Sequence, residues 1–104
     1  MEFTKKLLKH KNIYFSFTGN ITYKTKKEIQ GTEKDIAEVV KIIPLERIML
    51  ETDCPFLAPQ KFRGKRNEPA FVKYTAEKLA EIKGVSFEKM EKITTQNAKK
   101  FFGI

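Results

Sequence analysis

The chain has 104 residues and carries 21 Lys and Arg against 13 Asp and Glu, a net charge of +8 with a pI near 9.6. That length suits one small domain over residues 1–104, and no stretch nears the roughly 18 apolar residues of a membrane span. Residues 1–3 lack the order of a secretory signal, so the expectation is a cytoplasmic protein with no membrane partner.

The positive balance favours an anionic partner such as nucleic acid, bound with release of counterions, although a lysine-rich face kept for solubility accounts for it as well. The single cysteine, Cys54, excludes an internal disulfide, cannot alone build a zinc cluster, and is expected as a small buried side chain.

In chain order, residues 3–9 place Phe3, Leu7 and Leu8 as in a short helix. Residues 12–19, NIYFSFTG, alternate Ile13, Phe15 and Phe17 on one face, which predicts a strand. Residues 19–31 are polar and carry Lys24, Lys26 and Lys27, the pattern of a loop, while Ile21 and Tyr23 offer a short continuation of the strand. Thr32 is placed to cap a helix whose apolar positions Ile36, Val39, Val40 and Ile43 recur at helical spacing until Pro44. A second strand is predicted at Ile48, Met49 and Leu50, within RIMLETDCPFLAP (residues 47–59). The loop at 54–68 holds Pro55, Pro59, Gly64 and four basic residues. Pro69 opens the next helix, with Phe71, Val72, Leu79 and Ile82 inward and Gly84 as its cap. Ser86 caps a final helix with Phe87, Met90, Ile93 and Ala98 on one side. Thr94 and Thr95 are positioned to break or re-cap it, and Phe101 and Phe102 to anchor its end.

Two strands separated by a helical crossover imply parallel pairing in an α/β protein, with each strand apolar enough to be covered on both faces. A parallel pair flanked by about four helices is too small a sheet to stand alone and reads as a slice of something larger. In such sheets the active groups project from the carboxyl ends of the strands, where both long loops lie.

Glu51 and Asp53 therefore stand at a strand mouth and share a face, with Thr52 turned away. Such carboxylates suit a metal ligand or a general base. They equally suit a structural role in which Asp53 closes the turn and Glu51 pairs with a lysine. If buried together they would repel unless a cation neutralised them.

Residues 43–104 resemble the carboxyl-terminal third of the TatD family of metal-dependent deoxyribonucleases, and IYFSFTGNITYK resembles that family's penultimate strand. The motifs that carry the resemblance are E-T-D-x-P-[FY]-L-A-P, R-G-K-x-N-E-P and T-x-x-N-x-x-x-[FL]-F. It implies a carboxyl-terminal segment of a TIM-type (β/α)₈ barrel, with DNA as the partner of the intact enzyme and phosphodiester hydrolysis as its reaction. Asp53 corresponds to the aspartate after the last strand, a ligand of a divalent metal, Mg or Zn, that helps to activate the attacking water. Glu51 is implied as its support, and Arg63, Lys65 and Arg66 as phosphate contacts, with pairing of Arg63 and Arg66 to Glu51 or Glu68 as the alternative. Asn67 is expected to cap the helix that Pro69 begins. Ser16, Thr18 and Asn20 are placed to face the same cavity.

The resemblance also implies a His-x-His pair, a glutamate and two further histidines, all ahead of this segment. The one histidine present, His10, matches none of them and is expected at a helix end on the surface. One carboxylate holds a divalent ion too weakly to keep it, since affinity comes from several preorganised ligands. The expectation is a fragment of a TatD-type nuclease, inactive alone. The alternative is a non-catalytic basic module that binds nucleic acid, completes a barrel with another chain, or self-associates.

Overall fold

The computed structural model describes residues 2–23 and 32–104, with the backbone alone at 32–35. The loop lysines Lys24, Lys26 and Lys27 and the capping side chain expected of Thr32 lie outside the described residues.

Among the described residues, four helices and two short strands follow one another as expected. Helix α1 spans Glu2–Leu8 and strand β1 Phe15–Phe17; helix α2 spans Thr32–Ile42 and strand β2 Ile48–Leu50; helices α3, Val72–Lys83, and α4, Phe87–Phe102, complete the chain. The strands pair in parallel, with Phe15 opposite Ile48, Ser16 opposite Met49 and Phe17 opposite Leu50. Glu51 N–H donates to Phe17 O at 3.0 Å and extends the ladder by one step.

β1 is shorter than its sequence pattern because the chain turns at once into a 3-10 turn over Gly19–Thr22. Thr22 Oγ1 donates to Gly19 O at 2.6 Å and closes that turn. Ile21, offered by sequence as a strand continuation, is instead driven into the core at 5% exposure.

The core joins Val40 and Ile43 of α2, Ile48 of β2, Ala76, Leu79 and Ala80 of α3, and Met90 of α4, with Ile21 beneath them. Fully burying a side chain such as Ile48 or Leu79 contributes roughly 1.5–3 kcal/mol. Phe15, Phe17 and Leu50 pack against this cluster from the sheet. The opposite face carries Ser16 and Glu51, both exposed, and a half-buried Met49. Helices thus cover one face of the sheet and not both, because α2, α3 and α4 all gather on the side to which Ile48 points.

Three side chains donate to backbone carbonyls far along the chain and fix the entry to β2. The Arg47 guanidinium donates from Nε to Ile13 O at 2.7 Å, from Nη1 to Leu8 O at 3.1 Å and from Nη2 to His10 O, tying the end of α1 to the residue before β2. Asn97 Nδ2 reaches from α4 to Leu45 O at 2.7 Å and Ile48 O at 2.8 Å. Lys83 Nζ donates to Lys41 O at 3.0 Å and Ile43 O at 2.6 Å, satisfying carbonyls at the end of α2. Burial pushes the Lys83 ammonium below its ordinary pKa, partly countered by Glu46.

Gly84 ends α3 in the left-handed conformation at φ 68°, the cap read from sequence. Ser86 accepts from Lys89 N–H at 3.1 Å and caps α4. The Thr94-Thr95 pair does not interrupt α4. Thr94 Oγ1 donates to Met90 O at 2.8 Å, so its hydroxyl is satisfied within the helix. Phe101 and Phe102 do not anchor the end as expected: they are 51% and 68% exposed, with Phe101 meeting only the edge of Tyr14 at 5.3 Å and its neighbour Phe102 at 5.0 Å among the described ring contacts.

Candidate active site at the carboxyl ends of the strands

Both strands release their chains toward the same end, and a cleft of about 500 Å³ opens there. Its lining is Ser16, Phe17, Thr18, Asn20 and Ile21 after β1, Ile36 and Val39 of α2, and Glu51 and Asp53 after β2. The two carboxylates and the polar trio 16, 18 and 20 are therefore brought together. Ile36 and Val39 form an apolar wall that the helical pattern assigned only to the core. Thr18 Oγ1 donates to Asn20 Oδ1 at 2.7 Å, which orders the polar rim.

Glu51 and Asp53 are both exposed, so the charge repulsion expected of buried acids does not arise in this chain. The Asp53 carbonyl accepts from Phe56 N–H at 2.8 Å, and Thr52 Oγ1 accepts from Cys54 N–H at 3.4 Å, so the backbone on either side of Asp53 is set by a local turn. Cys54 is half-buried rather than buried, because it lies in that turn beyond the strand, next to a cis peptide bond with Pro55.

The loop after β2 is held mainly by Asn67. Only 3% exposed, Asn67 donates from Nδ2 to Phe56 O at 2.9 Å and Leu57 O at 3.5 Å, and its N–H donates to Pro55 O at 2.9 Å. Its Oδ1 accepts from Glu68 N–H at 2.9 Å. Asn67 is thus not the helix cap expected from sequence. The capping position before the turn at Pro69–Phe71 belongs to Glu68, and the Asn67 amide is spent on the loop across from it. That grip steadies Leu57, which sits at φ 53°, a conformation that costs a non-glycine residue about 1–2 kcal/mol.

The two loops also lock to each other. A Cβ at Gly19 would lie 3.3 Å from Leu57 O and from Pro59 N, a tight fit against backbone that a larger residue could take only if the second loop gave way by a few tenths of an ångström. Gln60 N–H donates to Thr22 Oγ1 at 2.7 Å. The Arg63 guanidinium lies 4.2 Å from the Tyr23 ring centroid, a cation–π contact that neither alternative read from sequence included. Lys65 and Arg66 are exposed in the same loop, and none of the three basic residues lines the cleft. His10 stands exposed in the turn after α1 and likewise does not line it.

Among the described residues no three His, Cys, Asp or Glu side chains converge to hold a metal ion. The cleft offers the Glu51 and Asp53 carboxylates, a part of a coordination shell and not a whole one. No helix among the described residues is long and apolar enough to cross a membrane.

Comparison with known proteins agrees with this architecture. The profile of the TatD related DNase family matches residues 1–103. The metal-dependent hydrolase YabD of Bacillus subtilis is 53% identical over 93 residues, covering 89% of this chain and 34% of the relative. The Escherichia coli hydrolase YcfH is 37% identical over 91 residues, 88% of this chain and 32% of the relative. The chain spans about a third of the length of these curated relatives. Among solved structures, a hydrolase of the TatD family from Entamoeba histolytica superposes with a TM-score of 0.73 at 22% identity, over 96% of this chain and 38% of that one. A TatD homologue from Escherichia coli K12 gives 0.70 at 22%, over 88% and 32%. At that identity the likeness concerns the fold, and it makes the two strands and four helices a segment of a TIM-type barrel.

Proposed function

This chain belongs to the family of TatD related DNases, and on that premise we propose that residues 1–104 form one partial domain, the carboxyl-terminal part of a cytoplasmic metal-dependent phosphodiesterase acting on DNA. Asp53 contributes one carboxylate to a divalent metal, Mg or Zn, whose other ligands come from outside residues 1–104. Glu51 steadies that carboxylate from the same cleft. The observation that carries the reading is the meeting of Glu51 and Asp53 with Ser16, Thr18 and Asn20 at the carboxyl ends of two parallel strands, where α/β barrels place their chemistry. Arg63, Lys65 and Arg66, on the loop beside the cleft, meet the phosphates of the substrate, and the net charge of +8 draws the polyanion in.

Alone, the chain does not hydrolyse DNA, because two exposed carboxylates do not fix a divalent ion. The test has two arms. After dialysis against Mg or Zn, elemental analysis of the purified chain finds well under one metal per chain, and plasmid DNA with added Mg stays intact. Stoichiometric metal, or nicking that Asp53→Ala abolishes, refutes this. In the second arm the chain replaces its matched third in the Bacillus subtilis relative. The chimera cleaves DNA with added metal, and Asp53→Ala lowers the rate by roughly 100-fold or more, since even outer partners of a ligand cost 10- to 100-fold. Cleavage unaffected by Asp53→Ala removes Asp53 from the site.

A further inference from the structure

We propose that a second cavity, outside the cleft, binds a base of single-stranded DNA while the cations on its rim bind the neighbouring phosphates. The site uses none of the cleft's groups, so it goes beyond the metal-dependent reading and stands or falls without it.

The spacing of residues on α3 builds one wall. Tyr74, Glu77, Lys78 and Glu81 recur at i, i+3, i+4 and i+7 and form a single stripe of the helix, beside the buried stripe of Thr75, Ala76, Leu79 and Ala80. Between that stripe and the side chains of Thr22 and Lys61 lies a cavity of about 210 Å³. Pockets that enclose a drug-sized ligand run to roughly 300–1,000 Å³, so this one suits a single ring system. The 3-10 turn over Gly19–Thr22 divides it from the cleft: Asn20 and Ile21 line the cleft, and Thr22 lines the second cavity. A strand of nucleotides that leaves the cleft over that turn meets the cavity next.

Aromatic rings and cations alternate around the opening. Phe62 stacks on Phe71 with ring centroids 4.3 Å apart, and both meet Tyr74 edge to face, at 5.4 Å and 5.9 Å. Lys61 Nζ stands 5.4 Å from the Tyr74 ring centroid and Lys73 Nζ 5.1 Å. The Arg63 guanidinium lies over Tyr23, the residue that follows Thr22. Among the described residues these three cations meet ring faces and not carboxylates. Their charge is therefore left for an external anion, and Lys65 and Arg66, exposed on the same loop, add to it.

A base and a lysine compete for the Tyr74 face. An exposed cation–π contact is worth less than a base stacked on an aromatic ring, so the base takes the ring and the ammonium moves to its phosphate. This selects a single strand, because a duplex keeps its base faces covered. Glu77 and Glu81 then meet the base inside the cavity. Carboxylates accept from the N4 amino group of cytosine, where thymine presents the O4 acceptor, so cytosine is favoured.

The test titrates fluorescently labelled oligo(dC) of about 12 nucleotides with the intact chain in EDTA and follows anisotropy, so that neither metal nor hydrolysis enters. Tyr74→Leu is expected to weaken binding about tenfold with circular dichroism unchanged, and Tyr74→Phe to bind like wild type. A duplex of equal length responds to Tyr74→Leu by less than about twofold. Lys61→Gln and Lys73→Gln each lower the slope of log affinity against log salt by about 0.7, the value for one phosphate of a single strand. Lys92→Gln, exposed on α4, leaves the affinity within about twofold. Oligo(dC) binds about fivefold tighter than oligo(dT), and Glu77→Ala combined with Glu81→Ala levels the two. Should Tyr74→Leu unfold, the lysine variants and the base preference decide, since they change exposed side chains only. A loss on Lys92→Gln equal to that on Lys61→Gln reduces the binding to bulk charge and overturns the site. So do the absence of binding, indifference of a folded Tyr74→Leu, and equal affinity for the two oligonucleotides. The expected pattern supports the site whether or not the chimera above cleaves DNA.

Discussion

Replacing Asn97 with alanine tests whether the family motif that ends the chain is structural. Asn97 is 6% exposed and its amide is a two-pronged donor to Leu45 O and Ile48 O. Alanine leaves both carbonyls without that donor. Orphaning one buried acceptor costs about 1–3 kcal/mol. Ile48 is fully buried, so its carbonyl bears that cost in full, whereas half-buried Leu45 recovers part of it from water. The expected loss is about 2–4 kcal/mol, from a total of roughly 5–15 kcal/mol for a chain of this length. In urea unfolding followed by circular dichroism at an m-value near 1–2 kcal/mol/M, the midpoint falls by about 1–4 M with the slope unchanged. Asn97→Asp is worse, since it turns a carboxylate toward two carbonyl oxygens. Gln96→Ala, on the exposed side of the same helix, stays within about 0.5 kcal/mol of wild type. A midpoint for Asn97→Ala within about 0.3 M of wild type refutes the reasoning, because it means that the two carbonyls find other partners at no cost.

Arg47→Met removes three donors to the carbonyls of Leu8, His10 and Ile13; α1 is expected to fray at a cost of about 2–3 kcal/mol, seen as faster tryptic cleavage after Lys9 and Lys11, and an unchanged cleavage rate contradicts the clamp. Gly19→Ala forces a Cβ against the backbone at Leu57 and Pro59 and is expected to lose about 1–3 kcal/mol, read as a lower Tm; equal melting would mean that the two loops separate freely. Lys83 gives a pH dependence. Its folded pKa lies below the ordinary 10.5, so between the two values the unfolded chain holds more protons and stability rises with pH. This contribution is complete above 10.5 and is lost as pH falls through the folded pKa. Wild type should therefore gain stability relative to Lys83→Met as pH approaches 10.5, and a difference that is flat or falls with pH refutes the assignment.

Much of the site was legible in the sequence because the information was local. Alternation in Glu51-Thr52-Asp53 puts two acids on one face, and a strand, helix, strand order puts their carboxyl end beside that of β1. Gly84 and Ser86 announce their caps through backbone conformation and a hydroxyl three residues from its donor. Asn67 was misread for the same reason: asparagine just before a proline-led turn fits a cap, and nothing local says that its amide reaches back to Phe56 and Leu57. The Arg63 contact with Tyr23 was likewise out of reach, because it joins two loops separated by a helix and a strand.

The sequence by itself determined which elements form, their order, the parallel crossover and the pair of carboxylates, all consequences of periodicity and spacing within a few residues. Tertiary structure alone decided that helices cover one face of the sheet, that Arg47, Lys83 and Asn97 spend their donors on distant carbonyls, and that Phe101 and Phe102 stand in solvent. Those outcomes depend on which carbonyls and apolar surfaces remain unmatched once the helices have packed, and no segment carries that remainder in its own residues.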